Sequence, residues 1–318
     1  MKNFFTKIKV WFQNHKPTKR RIIQLYAALL TNANIKGFFN GQIYKGATKN
    51  LCVPGLNCYS CPGAVGACPL GSLQNALSAS DTRMPAYIFG IIILFGLLLG
   101  RTICGWLCPF GLIQELLHKI KTPKLKKSKA TRILSYFKYV ILVAFVVIVP
   151  VVFLVPGFCE YICPAGTLEG GLGLLLNEKN EGLLSILGPL FTWKFTVLVL
   201  FVVGSVFIYR FFCRFLCPLG AIYGFFCKLA MLGVKIDKDK CTDCGLCISV
   251  CKMDVKKVGD HECIHCGACV GVCPTKAIRW KGEKLLIKGN ETQMPTAEIK
   301  PLTGVLQKPE KEESQDVE

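Results

Sequence analysis

Apolar residues in this chain gather into long uninterrupted runs instead of recurring at the spacing of a half-buried helix or strand. Met84 to Gly100 holds seventeen residues without a charge. Ile133 to Val155 is apolar apart from Ser135, Lys138 and two tyrosines, and Phe195 to Tyr209 is flanked by Lys194 and Arg210. Each run approaches the ~20 residues that a ~30 Å hydrocarbon core demands of a helix. A fourth run, Ile22 to Leu30, is shorter, and Thr31, Asn32, Asn34 and Lys36 follow at once. With 52% of its 318 residues hydrophobic and 19% charged, the chain reads as a membrane protein with a small soluble appendage.

Charge decides the fourth run. Residues 1–21 carry seven lysines and arginines and no acid, as do residues 119–132, whereas residues 156–190 hold four glutamates against one lysine. Basic stretches belong on the cytoplasmic side and the acidic one outside. An even number of crossings must then separate residue 21 from residue 119, so the 22–39 segment has to cross. The pattern predicts four transmembrane helices with both termini in the cytoplasm. The formal charge of +19 sits mainly beside these spans, which points to a lipid surface as partner and not to nucleic acid. Phe4, Phe5, Ile8, Trp11 and Phe12 among lysines predict a short interfacial helix, and the polar segment from Gly289 predicts a disordered tail.

The nineteen cysteines carry the chemistry. Cys241, Cys244, Cys247 and Cys251 read C-x2-C-x2-C-x3-C, and Cys263, Cys266, Cys269 and Cys273 repeat it, closed by Pro274. A cubane [4Fe-4S] cluster needs four converging thiolates. Three come from one tight loop, and the fourth cysteine of each run serves the other cluster. Cys241, Cys244, Cys247 and Cys273 are thus expected to hold one cluster, and Cys263, Cys266, Cys269 and Cys251 the second. Gly245 and Gly267 stand where the loops must bend. Structural zinc sites favour two separated C-x2-C pairs, not a triplet plus one. This stretch, about Lys235 to Ile287, resembles bacterial two-cluster ferredoxins, which implies a small α+β fold that moves single electrons. Lys252 stands where the repeat would place proline.

Ten further cysteines lie at the ends of the apolar runs. Cys104 and Cys108 read C-x3-C-P-F-G, Cys159 and Cys163 read C-x3-C-P-A-G, and Cys213 and Cys217 read C-x3-C-P-L-G. The first loop carries Cys52, Cys58 and Cys61 and ends in Cys68-Pro69-Leu70-Gly71, with Ala64 where a partner cysteine would fall. The 109-residue offset between Cys104 and Cys213 predicts a two-fold internal repeat of a two-span unit. The domains expected are a basic N-terminus (1–21), the first repeat (22–130, with the cysteine loop 52–68), the second repeat (131–232), the ferredoxin domain (233–288) and a tail (289–318).

Proline after the second cysteine discourages helix there and suits the first turn of a new one, whose N-terminal dipole favours thiolates or a cluster's negative charge. Cys104, Cys108, Cys213 and Cys217 make a complete cluster set on the cytoplasmic side. The six outer cysteines exceed one cluster's need. Either four take a cluster and two remain a redox dithiol, or the loop binds a cluster alone, with a disulfide as the competing outcome on an oxidising face. Cys227 reads as a plain buried thiol, and His118 as a snorkelling surface residue.

Membrane spans ending in C-x3-C-P elements, followed by a two-cluster ferredoxin domain, resemble the NapH and NosR-type membrane-bound polyferredoxins over roughly residues 84–285. The resemblance implies electron passage between a cytoplasmic donor or the quinone pool and an extracytoplasmic redox partner. The pair Cys159/Cys163 and the segment Cys52 to Cys61 depart from the NapH pattern. Lys45-Gly46-Ala47-Thr48 lacks the serine of the covalent flavin sites in related membrane subunits. A second use of the C-x3-C-P pairs would be thiol–disulfide transport across the membrane, fed by the ferredoxin domain.

Overall fold

Each Cys-Pro-x-Gly element starts a helix at its proline, and those at Cys108, Cys163 and Cys217 also end one. In the computed structural model, which describes residues 18–79, 86–125, 127–175, 177, 180, 182 and 188–281, Cys68, Cys108 and Cys217 all sit in extended conformation immediately before the helices Pro69–Ser78, Pro109–Leu117 and Pro218–Phe226. Cys163 is likewise extended, between the π-helical turn Phe158–Ile162 and Pro164. Proline supplies a preset φ at the first helical position and gives up only an N–H that has no intrahelical acceptor. The glycine two residues later permits close approach: a Cβ at Gly111 would lie 3.0 Å from the Cys104 carbonyl oxygen.

Two helices among the described residues are long and apolar enough to cross a membrane, Lys129–Phe153 and Pro189–Phe207. The first is widened into a π-helical stretch at Leu142–Ile148, just before Pro150, which cannot donate to an ordinary α-turn. Ala86–Leu98 is shorter and uncharged. The 22–39 segment is divided into the helices Lys19–Thr31 and Ile35–Asn40. Polar side chains cause the break, because Asn32 Nδ2 bonds the Ala28 carbonyl at 3.1 Å and Asn34 Nδ2 reaches Pro62 O at 2.9 Å. The expected interfacial helix and the tail lie outside the described residues.

The helices turn apolar faces outward and polar side chains inward. Ile133, Val152, Phe153 and Leu200 are all exposed, while Gln24, Gln74, Arg101, Gln114, Lys138 and Arg210 are fully buried. Fully buried charges survive only when paired, and here each is. Glu115 accepts from Arg210 Nη2 at 2.6 Å, Arg20 Nη2 at 2.5 Å and the Tyr209 hydroxyl at 2.7 Å. Burial pushes its carboxyl up, but Arg210 and Arg20 outweigh that and hold it at about 2.

The C-terminal module is closed by the antiparallel pair β1 (Gly233–Ile236) and β2 (Ile278–Lys281), in register Val234↔Trp280 and Lys235↔Arg279. Between them run both cysteine loops and one short helix, Leu246–Val250. The module is locked to the helices by buried polar contacts. Glu262 accepts from Arg101 Nη1 at 2.9 Å and pairs with Lys138, and Asp254 pairs with Arg214. Trp106 Nε1 donates to His265 O at 2.9 Å and its ring meets Trp280 edge-on at 5.6 Å.

Candidate iron–sulfur centres

The two ferredoxin loops bend alike. Asp243 and Gly245 in the first, and His265 and Gly267 in the second, take positive φ at matching positions, two and four residues after Cys241 and Cys263. Cys251 lies within electrostatic reach of Cys263 and Cys266, and Cys269 within reach of all three. Burial pushes the Cys251 thiol up to about 11 and Cys269 up to about 12, with the neighbouring thiols adding to it. Iron would reverse this by taking thiolate in place of thiol. Cys244 is exposed, whereas Cys251, Cys263 and Cys266 pack against the buried core. Among the described residues no three His, Cys, Asp or Glu groups are arranged to hold a single metal ion.

Cys104, Cys108, Cys213 and Cys217 line one small cavity together, each 5–8% exposed. The free space among them is about 10 Å³, so a cluster could enter only as the thiols turn aside. The donor set fits one nonetheless. Gly220 N–H donates to Cys217 Sγ at 3.4 Å, and Gln114 Nε2 donates to Cys213 Sγ at 3.0 Å. Such donors favour the extra negative charge of ligated sulfur. Arg101 and Arg210, three residues before the first cysteine of each pair, bind crosswise: Arg210 Nη1 donates to Cys104 O at 2.5 Å and Arg101 Nη2 to Cys213 O at 3.5 Å.

The loop after the first helix does not stay at the far end of the fold. It dips inward until a Cβ at Gly55 would lie 3.1 Å from Cys108 Cα, and the Tyr223 hydroxyl donates to Pro54 O at 3.0 Å. Leu56 consequently lines both the small cavity and a larger one of about 270 Å³. Cys58, Cys68, Cys159 and Cys163 face that larger cavity, and Cys52 and Cys61 do not. The remaining cysteine, Cys227, is 1% exposed with its thiol toward Cys263 O at 3.5 Å, as a plain buried thiol should be. His118 is half-buried and lies edge-on against Tyr209 at 5.4 Å, not snorkelling.

Four residues of the sites were not read from the sequence. Gln74, Gln114, Glu169 and Tyr223 each stand six residues after the cysteine of a Cys-Pro-x-Gly element. All four reach across to another segment: Gln74 to Cys159, Gln114 to Cys213, Glu169 to the Cys58 N–H and Tyr223 to Pro54. The extended motif Cys-Pro-x-Gly-x-x-Gln, present twice, was the available signal.

One 4Fe-4S binding domain family matches three successive segments, residues 84–128, 137–180 and 190–236, and a second family of the same description matches residues 234–257 and 258–279. A protein of uncharacterised function from Methanocaldococcus jannaschii is 31% identical over 173 residues, covering 52% of this chain and 57% of its own. The methylamine utilization ferredoxin-type protein MauN of Paracoccus denitrificans is 26% identical over 187 residues (56% and 58% of the two chains). The ferredoxin-type protein NapH of Escherichia coli is 26% identical over 186 residues (58% and 59%). These matches span less than two thirds of each relative's length. No solved structure matches. The fold and the cysteine array thus define a protein of repeated 4Fe-4S binding domains. Within that class the chain belongs with the NapH-type polyferredoxins.

Proposed function

We propose that this protein is a membrane-bound electron relay, passing single electrons from a cytoplasmic donor or quinol toward an extracytoplasmic acceptor. The observation that carries this reading is the stacking of cysteine sets. The exposed loop of Cys241, Cys244 and Cys247 precedes the inward-facing set of Cys263, Cys266, Cys269 and Cys251. A Cβ at Gly105, next to Cys104, would lie 2.2 Å from Ile264 O, so the second ferredoxin loop rests directly on the inner set. The inner set in turn shares Leu56 with the outer one.

Clusters would supply the electron-carrying chemistry, and the protein's part is to hold and space them. Electron transfer across a bare ~30 Å core in one hop is slow work; closely stacked sites divide the distance. The outward apolar side chains of the two long helices, together with the basic flanks at residues 1–21 and 119–132, support a membrane setting with the ferredoxin module and both termini in the cytoplasm. Four crossings and a two-fold repeat remain part of this proposal. The Arg101/Arg210 and Cys108/Cys217 correspondences support them, and the helix Lys19–Thr31 runs from the inner set, where Gln24 Nε2 donates to Cys108 O, to the outer loop at Asn32 and Cys61.

The test is iron and acid-labile sulfide per chain in protein purified without oxygen, with EPR of the reduced form. Twelve or more irons are expected, since each [4Fe-4S] cluster brings about four. About eight would confine clusters to the ferredoxin module and refute the relay.

A further inference from the structure

We infer that the larger cavity is a four-thiol cluster site held by Cys58, Cys68, Cys159 and Cys163, with Cys52 and Cys61 outside it. The inference rests on the relay reading above and resolves which of the six loop cysteines take part.

The argument is a correspondence internal to the molecule. Cys68-Pro69-Leu70-Gly71-Ser72-Leu73-Gln74 and Cys108-Pro109-Phe110-Gly111-Leu112-Ile113-Gln114 share a helix start and a fully buried glutamine. Gln74 Nε2 donates to Cys159 Sγ at 3.3 Å while its Oε1 accepts from Phe158 N at 2.9 Å. Gln114 Nε2 donates to Cys213 Sγ at 3.0 Å while its Oε1 accepts from Phe212 N at 3.0 Å. Both glutamines therefore clasp a Phe-Cys pair brought by a different helix. Cys68 answers to Cys108, Cys159 to Cys213 and Cys163 to Cys217.

One ligand is missing from this mapping. Cys104 answers to Ala64, which is fully buried and has no donor atom. Cys58 takes that place from elsewhere in the loop. It lines the cavity beside the other three, and its sulfur lies 3.4 Å from where a Cβ on Gly170 would be. Its backbone N–H donates to Glu169 Oε2 at 2.7 Å, which ties the loop to the segment following Cys163. Glycine at 170 and at 71, whose Cβ position is 3.6 Å from Cys159 Sγ, keeps the walls close to the sulfurs. The two excluded thiols lie outside the cavity lining, and Cys61 Sγ faces Asn32 Oδ1 at 3.8 Å. Four thiols around about 270 Å³ suit a cubane cluster by ligand number and by room.

The experiment compares Cys58→Ser, Cys52→Ser, Cys61→Ser and Cys104→Ser, purified without oxygen, by iron count and EPR. Cys58→Ser is expected to lose about four irons and one signal, whereas Cys52→Ser and Cys61→Ser keep the full count. Retention of all iron by Cys58→Ser, or loss of a cluster in Cys52→Ser or Cys61→Ser, would overturn the assignment. Cys104→Ser separates the two failures. If it removes four irons while Cys58→Ser removes none, the relay stands and this site does not. If wild type holds only about eight irons, both readings fail. Should Cys58→Ser not accumulate, Gln74→Leu gives a second readout: it is expected to shift the potential of one centre that Gln114→Leu leaves alone. A common effect of both variants on one centre would refute a separate outer site.

Discussion

Removing the Glu262 carboxylate should undock the ferredoxin module without destroying it. Glu262 is 3% exposed and pairs with two fully buried basic side chains, Arg101 and Lys138, on the helical domain. Burial pushes its carboxyl up, but Arg101 and Lys138 outweigh that and hold it at about 2, against an ordinary 4.5. At 1.36 kcal/mol per pH unit, that difference corresponds to about 3 kcal/mol. The range for stripping one partner from a buried ion pair, about 3–5 kcal/mol, is similar. Glu262→Gln should therefore raise the population of undocked module by about a hundredfold or more. Hydrogen exchange of detergent-solubilised, cluster-loaded protein reads this in the segment 261–265, where Arg101 Nη1 donates to His261 O at 2.6 Å and Trp106 Nε1 to His265 O. A double-mutant cycle with Lys138→Met isolates the pair, because losing both charges should cost less than the sum of the single changes. Unchanged exchange in Glu262→Gln, or strict additivity in the cycle, would refute the claim that this carboxylate holds the interface.

Two further predictions concern the inner site and its frame. Gln114→Leu removes the donor to Cys213 Sγ and, at about 1 kcal/mol for one hydrogen bond, should lower that centre's potential by about 40 mV in an EPR-monitored titration; an unchanged potential would show that the contact does not act on a cluster. Glu115 has a folded pKa of about 2, below its unfolded value. Its contribution to stability is present above about pH 4.5 and is lost as pH falls through about 2. Thermal unfolding of the detergent-solubilised protein should show that slope, and Glu115→Gln should flatten it.

The ferredoxin module was legible in sequence because its ligands are local. A thiolate triplet on one loop specifies the loop's shape, and the positive φ at Gly245 and Gly267 follows from that need. The Cys-Pro helix starts were equally legible, since proline's fixed φ and missing N–H act on its own turn. What could not be read was how segments far apart in sequence meet. Hydropathy placed Cys58 and Cys68 at the far end of the helices, a membrane thickness from Cys104. The tertiary structure instead folds the loop back until Leu56 borders both cavities. Buried side-chain bonds decide that path: Tyr223 to Pro54, Glu169 to Cys58 and Asn57 Nδ2 to Thr31 O at 3.3 Å. None carries a local signature, because a lone glutamate, tyrosine or asparagine becomes specific only once its partner's carbonyl or amide has been buried beside it. Local chemistry thus marked which cysteines suit a cluster, and long-range packing decided which of them line one cavity.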